Sequence, residues 1–466
     1  MKNDKPVELY LLLYLPWLLS LAAEPSPKLS YTIAWLGSLF IFFLTLSGTL
    51  KQLPQDRSIA AQIMRPIFLV QIIFAGYMSL TSIFYFFDVL GYVDFHHAGN
   101  FFLINPKRLR LTAECQRYYC LGHAALVTGI LSTMKYPIKH KYRVDEDIIA
   151  NLLFAVAIVA LPISIIFLKT SLLRQFYFQF SSLSFLAGTL ALAFAIPQKK
   201  ALKTAICLVL YFSNFYRALV SGYKEPIILS IVILAIFLYP TYKRTVVLTA
   251  TPILIAAFLL LPTYNRVFRE NSWSGDTNSD KATELALDAA LNRDKDDSNW
   301  AFYTLRLSEI DMFITYVEST PSHIGFYGTK IIQQGITVLV PRVFWPGKPN
   351  TENMIMERVY DAGVVNRGST VSAKPAFVVD GYLSAGVWGV FVFLFMYGVA
   401  CQTISQYAEK MFGGYVLGTA LIFSGMFQVF WRGLSFEFLI NSVFWSFVSM
   451  LIIFKIFRSL KILTDI

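Results

Sequence analysis

The sequence predicts an all-α, polytopic membrane protein with about 12 transmembrane helices and one long outer loop containing short amphipathic or re-entrant helices. The 466 residues are 56% hydrophobic and only 15% charged, whereas soluble domains are about one-quarter charged. Many apolar runs reach the roughly 20 residues that a spanning helix needs. Lysine and arginine also concentrate in alternate loops, as they do in membrane proteins.

Twelve apolar runs approach spanning length. The first run is followed by Glu24 and Pro25 and has no small-residue cleavage site, so we expect it to stay in the membrane. For residues 204–241, one long broken helix is an alternative to two short spans. The runs lie near residues 7–23, 30–50, 67–90, 113–134, 148–168, 176–196, 204–221, 226–241, 245–262, 377–400, 414–431 and 436–457.

These runs divide the chain into three regions. Residues 1–262 contain predicted helices 1–9, residues 263–376 form the long loop, and residues 377–466 contain helices 10–12. A loop of this length is usually functional or disordered.

The distribution of basic residues orients the chain. Short cytoplasmic loops carry the excess of lysine and arginine, which places both termini in the cytoplasm and the long loop outside. Lys107, Arg108 and Arg110 oppose this assignment in an outer loop. The net charge of +11 then reflects topology and contact with anionic lipids, so we expect no nucleic acid partner.

Neither cysteine nor aspartate predicts a metal site. The four cysteines (Cys115, Cys120, Cys207 and Cys401) lie in or beside spans and form no CxxC, so they are interpreted as packing residues. The aspartate-rich stretch 276–297 has no EF-hand spacing. We therefore predict no cofactor and no metal.

The long loop begins with cations and acids. Arg266 and Arg269 lie three residues apart, so a continuing helix would point both the same way; they either anchor the interface or bind an anion. The polar, acidic stretch 275–299 that follows, with a small helical patch at "ATELALDAAL", is interpreted as a solvated cover, with a lid as the alternative.

The rest of the long loop is hydrophobic again. A helix through Leu305 to Val317 is predicted to end at Thr320 and Pro321. Residues 331–345 are too short to span and suit a re-entrant or interfacial helix. They lead into "VPRVFWPGKPN", where prolines and Trp345 would fix Arg342 and Lys348 against a phosphate-bearing lipid.

Four segments together resemble the Wzy-type O-antigen polymerases, the bacterial oligosaccharide repeat-unit polymerase family. They are "LVSGYKEPIIL", "RLSEIDMFITYVESTPSHIGFYG", "VPRVFWPGKPN" and "VVDGYLSAGVWGVFVFLFMYG". The resemblance covers about a third of the chain. It departs from the family in having one long loop rather than two, and Arg306 and Arg342 do not meet the RX10G spacing.

The resemblance implies a glycosyltransferase of the bacterial inner membrane with a periplasmic active face. It would move a growing glycan from its undecaprenyl diphosphate to the sugar hydroxyl of an incoming lipid-linked unit. The implied partners are the lipid-linked oligosaccharide, membrane lipids and a chain-length regulator.

This reaction needs cations for the diphosphate leaving group and a base for the acceptor hydroxyl. Arg306, Glu309, Asp311 and His323 are the catalytic candidates. Structural alternatives are a loop contact for Arg306, a solvated surface position for the carboxylates, and pairing of Lys224 with Glu225. The candidate diphosphate ligands are Arg217, Lys224, Arg266, Arg269, Arg342 and Lys348.

Two other functions fit the same features. An O-antigen ligase shares the donor and uses a histidine in its large loop, which His323 could supply, although "TPSHIGFYG" is closer to the polymerases. A lipid-linked oligosaccharide flippase would also need twelve spans and buried cations, but no internal repeat is visible.

Overall fold

The computed structural model confirms the all-α class. It describes residues 7–99, 102–170, 173–220, 225–273, 278–292, 299–342, 344–368, 372–432 and 434–466. About three-quarters of the chain is helical. In the described part, sheet is limited to two antiparallel pairs, Tyr92–Val93 with His96–His97 and Tyr142–Arg143 with Thr464–Asp465.

Seven helices of the described part are long and apolar enough to cross a membrane. Each matches one or two of the predicted runs, because each contains an apolar stretch of spanning length with few charged residues. They are Pro27–Leu46, Pro66–Val89, Ile148–Lys169, Arg174–Ala195, Pro226–Ser272, Phe377–Met411 and Phe436–Ser459.

The remaining predicted runs are helical but shorter, more polar or interrupted. The N-terminal run is divided into a 3-10 helix, Val7–Leu13, and an α-helix, Leu15–Ala22. The run at 414–431 becomes a π-helix, Val416–Phe423, followed by two short helices. Pro106–Thr133 and Ala201–Val220 are continuous helices.

The shorter helices of the long loop are Ser279–Leu291, Trp300–Arg306, Ile310–Ser319, Lys330–Leu339 and Thr351–Asp361. Elsewhere a single helical turn lies at Ile59–Gln62, and a 3-10 turn at Arg174–Phe176 leads into the helix Tyr177–Ala195.

Contacts between loops define two poles of the bundle. At one pole, called the loop pole, Trp300 Nε1 donates to Asp88 and Arg117 bonds Glu24. At the other, called the opposite pole, the Tyr142–Arg143 strand pairs with the C-terminal strand. The long loop thus meets Asp88 and Lys107 at the loop pole, whereas residues 51–65, 134–146, 409–415 and 462–466 share the opposite pole.

The helix Glu225–Trp273 contains two antiparallel arms. Tyr242 has non-helical dihedral angles (φ −124°, ψ 45°). Ile227 and Leu261 nevertheless belong to one buried cluster, although a straight helix would hold them about 50 Å apart. The helix therefore folds back at Tyr242, which agrees with the two predicted spans 226–241 and 245–262.

Glycines bring the central helices 106–133 and 377–411 into backbone contact. A Cβ added to Gly398 would lie 2.1 Å from the Leu126 carbonyl oxygen, and one added to Gly129 would lie 2.1 Å from the Phe395 oxygen. Small residues permit such close approach in membrane bundles. This contact forms the centre of the fold.

The structure corrects the predicted span 377–400, because the chain reverses direction within it. Ala385 and Gly386 are non-helical, and Gly386 has a φ of +58°. A Cβ on Gly389 would lie 1.8 Å from the Gly381 oxygen, whereas residues eight apart in a straight helix are about 12 Å apart. Residues 377–384, called the folded-back segment, therefore pack antiparallel to the long helix that follows.

We predict that Gly398→Ala destabilises the protein by about 1–3 kcal/mol, because its new methyl group overlaps the Leu126 carbonyl. Gly76→Ala is the control, since a Cβ there is 3.7 Å from its nearest neighbour. Thermal unfolding of both purified variants in detergent measures the difference. Equal melting temperatures for the two variants would contradict this account of the central contact.

Candidate functional site

Residues 300–320 of the long loop form a helical hairpin that enters the bundle, and we call it the re-entrant hairpin. Its first helix, Trp300–Arg306, starts beside Asp88 and ends where the Tyr77 hydroxyl donates to the Arg306 carbonyl at 3.2 Å. Its second helix, Ile310–Ser319, returns toward the loop pole. Thr320 ends it, as the sequence predicted.

The tip of the re-entrant hairpin lies level with the middle of the helix Pro66–Val89, which is long and apolar enough to cross a membrane. Tyr77 is roughly equidistant along its helix from Arg65 and Asp88, about 17 Å from each at 1.5 Å per residue. Tyr119, well inside helix 106–133, donates to the Ser308 carbonyl at 2.8 Å. The sequence predicted a re-entrant or interfacial helix at 331–345, where the structure has the helix Lys330–Leu339; it did not predict the tip described here.

Two predicted catalytic residues, Arg306 and Glu309, lie at this tip. Ser308 is fully buried, and Glu309 adopts a left-handed conformation (φ 55°) that turns the chain. Arg306 is exposed and ends the first helix, whereas the predicted helix through Leu305 to Val317 continues past it. Because an arginine facing hydrocarbon is costly at this depth, its exposed side chain indicates a hydrated groove.

Asp311, on the returning helix, is held by two partners. Arg108 forms a salt bridge with its Oδ1, and the Tyr85 hydroxyl donates to the same oxygen at 2.9 Å. Glu318 lies two turns further on and is bonded by Lys107; this hydrogen bond lowers the pKa of Glu318 below its usual range. Lys107 and Arg108, two of the three basic residues that opposed the predicted orientation, thus bind the acidic face of the re-entrant hairpin.

A buried ionic triad lies beside the re-entrant hairpin. Arg358 bonds Asp380 at 3.0 and 3.2 Å and Glu437 at 2.7 and 2.7 Å. All three side chains are at most 2% exposed, and the Phe436 amide donates to Asp380 at 2.7 Å. Burial by itself would lower the pKa of Arg358, but the charges and hydrogen bonds of Asp380 and Glu437 outweigh burial. The pKa of Arg358 is therefore raised above its usual value.

Aromatic contacts join the triad region to the re-entrant hairpin. Tyr382, on the folded-back segment, lies 4.9 Å from Tyr118 and 5.7 Å from Phe313 between ring centroids. Its hydroxyl donates to the Thr320 carbonyl at 2.8 Å. The folded-back segment and the re-entrant hairpin are therefore one packed unit.

Arg217, Arg266 and Arg269 lie near the rim of the loop pole. Arg217 is exposed and bonds Asn214, Arg266 is exposed, and Arg269 is half-buried. The long helix does continue through Arg266 and Arg269 to Trp273, as predicted. Phe258, about two turns below Arg266, stacks 5.3 Å from Tyr303 of the re-entrant hairpin. Lys224 lies outside the described residues.

The two cations of "VPRVFWPGKPN" have intramolecular partners. Lys348 is 8% exposed and donates to the Val338 and Val340 carbonyls at 2.9 and 2.8 Å, where it caps the helix Lys330–Leu339. Arg342 is exposed and donates to the Lys348 carbonyl. Burial, with a smaller effect of Arg342, lowers the pKa of Lys348.

His323 lies on the exposed surface beyond the re-entrant hairpin, where its Nδ1 is 3.1 Å from the Ser322 hydroxyl. The polar stretch that we interpreted as a solvated cover contains a docked helix, Ser279–Leu291. Its Ala282, Ala286 and Ala290 are buried in one cluster with Tyr264 and Phe268.

Sequence reasoning missed Arg358 and Glu437 and did not foresee their joining Asp380. A signal was present, since both acids lie in the first turn of an apolar helix, where the helix dipole favours negative charge. The partner arginine lies 22 residues before Asp380 and 79 before Glu437, so local pattern does not reveal it.

The fold and site define an all-α protein with several helices able to cross a membrane and a long loop inserted between them. A family described as a domain of unknown function (DUF8712) matches residues 15–465, and the chain belongs to this family. No curated protein and no solved structure matches the chain.

We predict that Arg358→Gln destabilises the protein by about 3–5 kcal/mol, because it leaves two buried carboxylates without their cation. Arg358→Lys should restore little, since one ammonium cannot form the paired bonds to both acids. Lys107→Gln, which breaks an exposed pair, should change stability by less than about 1 kcal/mol. Unfolding in detergent measures all three, and similar losses for Arg358→Gln and Lys107→Gln would contradict the buried triad.

We also predict that Arg306→Cys reacts with a membrane-impermeant thiol reagent in vesicles, because its side chain faces water. Ile255→Cys is the control at similar depth. Phe258 stacks on Tyr303, so these two residues are level. Ile255 is three residues from Phe258, and Arg306 is three residues from Tyr303, both in the direction away from the loop pole. Ile255 is 55% exposed on an apolar surface. The described native cysteines are buried, so background is low. Equal labelling of both variants would contradict the hydrated groove.

Proposed function

We propose that the protein is a membrane glycosyltransferase that polymerises polyprenyl-diphosphate-linked oligosaccharide units. The proposed setting is the bacterial inner membrane, crossed twelve times, with both termini cytoplasmic and the loop pole periplasmic. The observation that carries the proposal is the re-entrant hairpin, which places Arg306 and Glu309 at mid-membrane depth in the segment that resembles the repeat-unit polymerases.

The chemistry of the reaction matches this arrangement. The acceptor hydroxyl oxygen attacks the anomeric carbon of the donor, the bond from that carbon to the diphosphate oxygen breaks, and the lipid diphosphate leaves as an anion. A cation held in a partly dry groove stabilises this leaving group more than it would in bulk water. Arginine offers a planar fork to phosphate oxygens, so we assign Arg306 to the diphosphate.

The hydroxyl proton needs an acceptor. Glu309 adjoins Arg306 at the tip and is half-buried, so we assign it as the general base. Asp311 is bonded by Arg108 and Tyr85, and we give it a positioning role for the returning helix. His323 lies beyond the far end of that helix and has no step in this scheme.

Arg217, Arg266 and Arg269 suit the capture of substrate. They lie at the rim of the loop pole, where a diphosphate in the outer leaflet would first meet the protein, and cations there raise the local concentration of an anionic substrate. Arg342 and Lys348 instead maintain the end of their own helix, so we remove them from the proposed diphosphate site.

We predict that Arg306→Gln and Glu309→Gln each lower polymerisation at least about 100-fold. Arg367→Gln is the matched control, since Arg367 is a 61% exposed loop arginine paired with Glu357 and Asp361. The assay incubates purified protein with a lipid-diphosphate-linked repeat unit and resolves the products by size. A ladder of chains that is lost in the first two variants only is the expected result.

Other products would overturn this proposal. Movement of the lipid-linked unit across a vesicle bilayer without chain growth identifies a flippase. Transfer to a lipid A core acceptor alone identifies a ligase.

A further inference from the structure

The opposite pole contains a cavity of about 300 Å³, remote from the re-entrant hairpin. Three connections meet around it: residues 51–65, residues 134–146 and the turn that follows helix 377–411. Its lining residues are Asp56, Arg57, Pro137, Ile138, His140, Glu409 and Tyr415.

The two carboxylates of the lining are already engaged. Arg65 donates to both oxygens of Asp56 at 2.6 and 2.7 Å. Glu409, which is 4% exposed, accepts from Arg57 at 2.6 Å and from Thr419 at 2.7 Å. Arg65 and Arg57 therefore neutralise Asp56 and Glu409. Because the two carboxylates are already hydrogen-bonded, they do not take up the remaining donors of the cavity.

The unsatisfied hydrogen-bonding groups of the lining are donors. Arg57 Nη1 and the Tyr415 hydroxyl are buried and have no hydrogen-bond partner among the described residues. The Arg57 side chain is 9% exposed, and its guanidinium lies 4.7 Å above the Tyr415 ring. The Tyr415 phenol carries a hydroxyl hydrogen that it can donate.

Unsatisfied buried donors are costly, and a ligand that supplies acceptors removes this cost. The cavity mouth is also cationic, because the nearby exposed basic residues are Lys135, Lys139, Lys141 and Arg143. Basic pockets between membrane helices on the cytoplasmic side, where we propose that the opposite pole lies, bind phosphate head groups. The volume lies at the lower end of small-ligand pockets, enough for a phosphate with a small substituent.

We propose that the cavity lined by Arg57, His140 and Tyr415 binds a phosphate group, supplied by an anionic phospholipid head group or by a free phosphate compound. Arg57 provides the fixed cation, and Tyr415 and His140 provide hydrogen bonds to phosphate oxygens. This site is separate from the proposed diphosphate site, because it lies at the other pole.

The test uses the purified full-length chain with two probes. Calorimetric titration measures the affinity for inorganic phosphate, and native mass spectrometry measures retention of phosphatidylglycerol after transfer from mixed phosphatidylglycerol and phosphatidylcholine nanodiscs. Tyr415→Phe keeps the ring and removes one donor, so we expect at least about fivefold weaker binding. Arg57→Gln should abolish binding, but Tyr415→Phe is decisive because it leaves the Arg57 to Glu409 bond intact.

Lys139→Gln is the matched control for charge on the same pole, since Lys139 is exposed and outside the lining. Binding of inorganic phosphate that falls in Tyr415→Phe but not in Lys139→Gln supports a site for free phosphate compounds. The same pattern for phosphatidylglycerol alone supports a lipid site. Equal effects of the two substitutions on both probes, or no binding of either probe, overturns the proposal.

Discussion

The contact between Gly381 and Gly389 is the constraint on which the rest of the loop pole depends. A side chain at either position would meet the backbone of the other, so only glycine lets the folded-back segment lie directly against the helix that follows. The reversal moves Asp380 away from the end of the helix and into the bundle. Phe377, one turn before Asp380, lies 5.2 Å from Tyr397 between ring centroids. It also satisfies the backbone, because the amides of Tyr327 and Gly328 donate to the Leu383 and Ser384 carbonyls that the break leaves open.

Asp380 at that depth requires a cation, and this requirement determines how the later loop is arranged. A buried carboxylate without a partner is strongly unfavourable, and Arg358 supplies the partner from the helix Thr351–Asp361. Glu437 joins because its helix begins beside Phe436, whose amide also bonds Asp380. One arginine thus ties a loop helix to the first turns of two apolar helices. Such a network adds less to net stability than its short distances suggest, but it fixes the geometry of the three elements.

Sequence reasoning predicted the parts of this fold that hydropathy and local stereochemistry determine. Apolar length located the seven long helices, and the Thr320 and Pro321 pair located the end of the returning helix. It predicted a re-entrant or interfacial helix at 331–345, where the helix Lys330–Leu339 lies. It did not predict the turn at Ser308 and Glu309, because that turn depends on Glu309 adopting a left-handed conformation, which has no signature in the local sequence. Lys348 beside prolines suggested an exposed cation, but its ammonium reaches back to Val338 and Val340, a contact set by the path of the chain. The triad depends on residues far apart in sequence and is visible only in three dimensions.

The distribution of paired and exposed charge distinguishes the two poles. At the loop pole, Asp311, Asp380 and Glu437 all accept bonds from arginine, whereas Arg306, whose carbonyl accepts from Tyr77, has an exposed side chain. Asp380 and Glu437 are buried with Arg358, so these two acids do not neutralise Arg306. At the opposite pole Arg57 is paired with Glu409, and its Nη1 has no hydrogen-bond partner among the described residues. Each pole thus has a guanidinium that we propose as a donor to phosphate, Arg306 on an exposed position of the re-entrant hairpin and Arg57 in a small cavity.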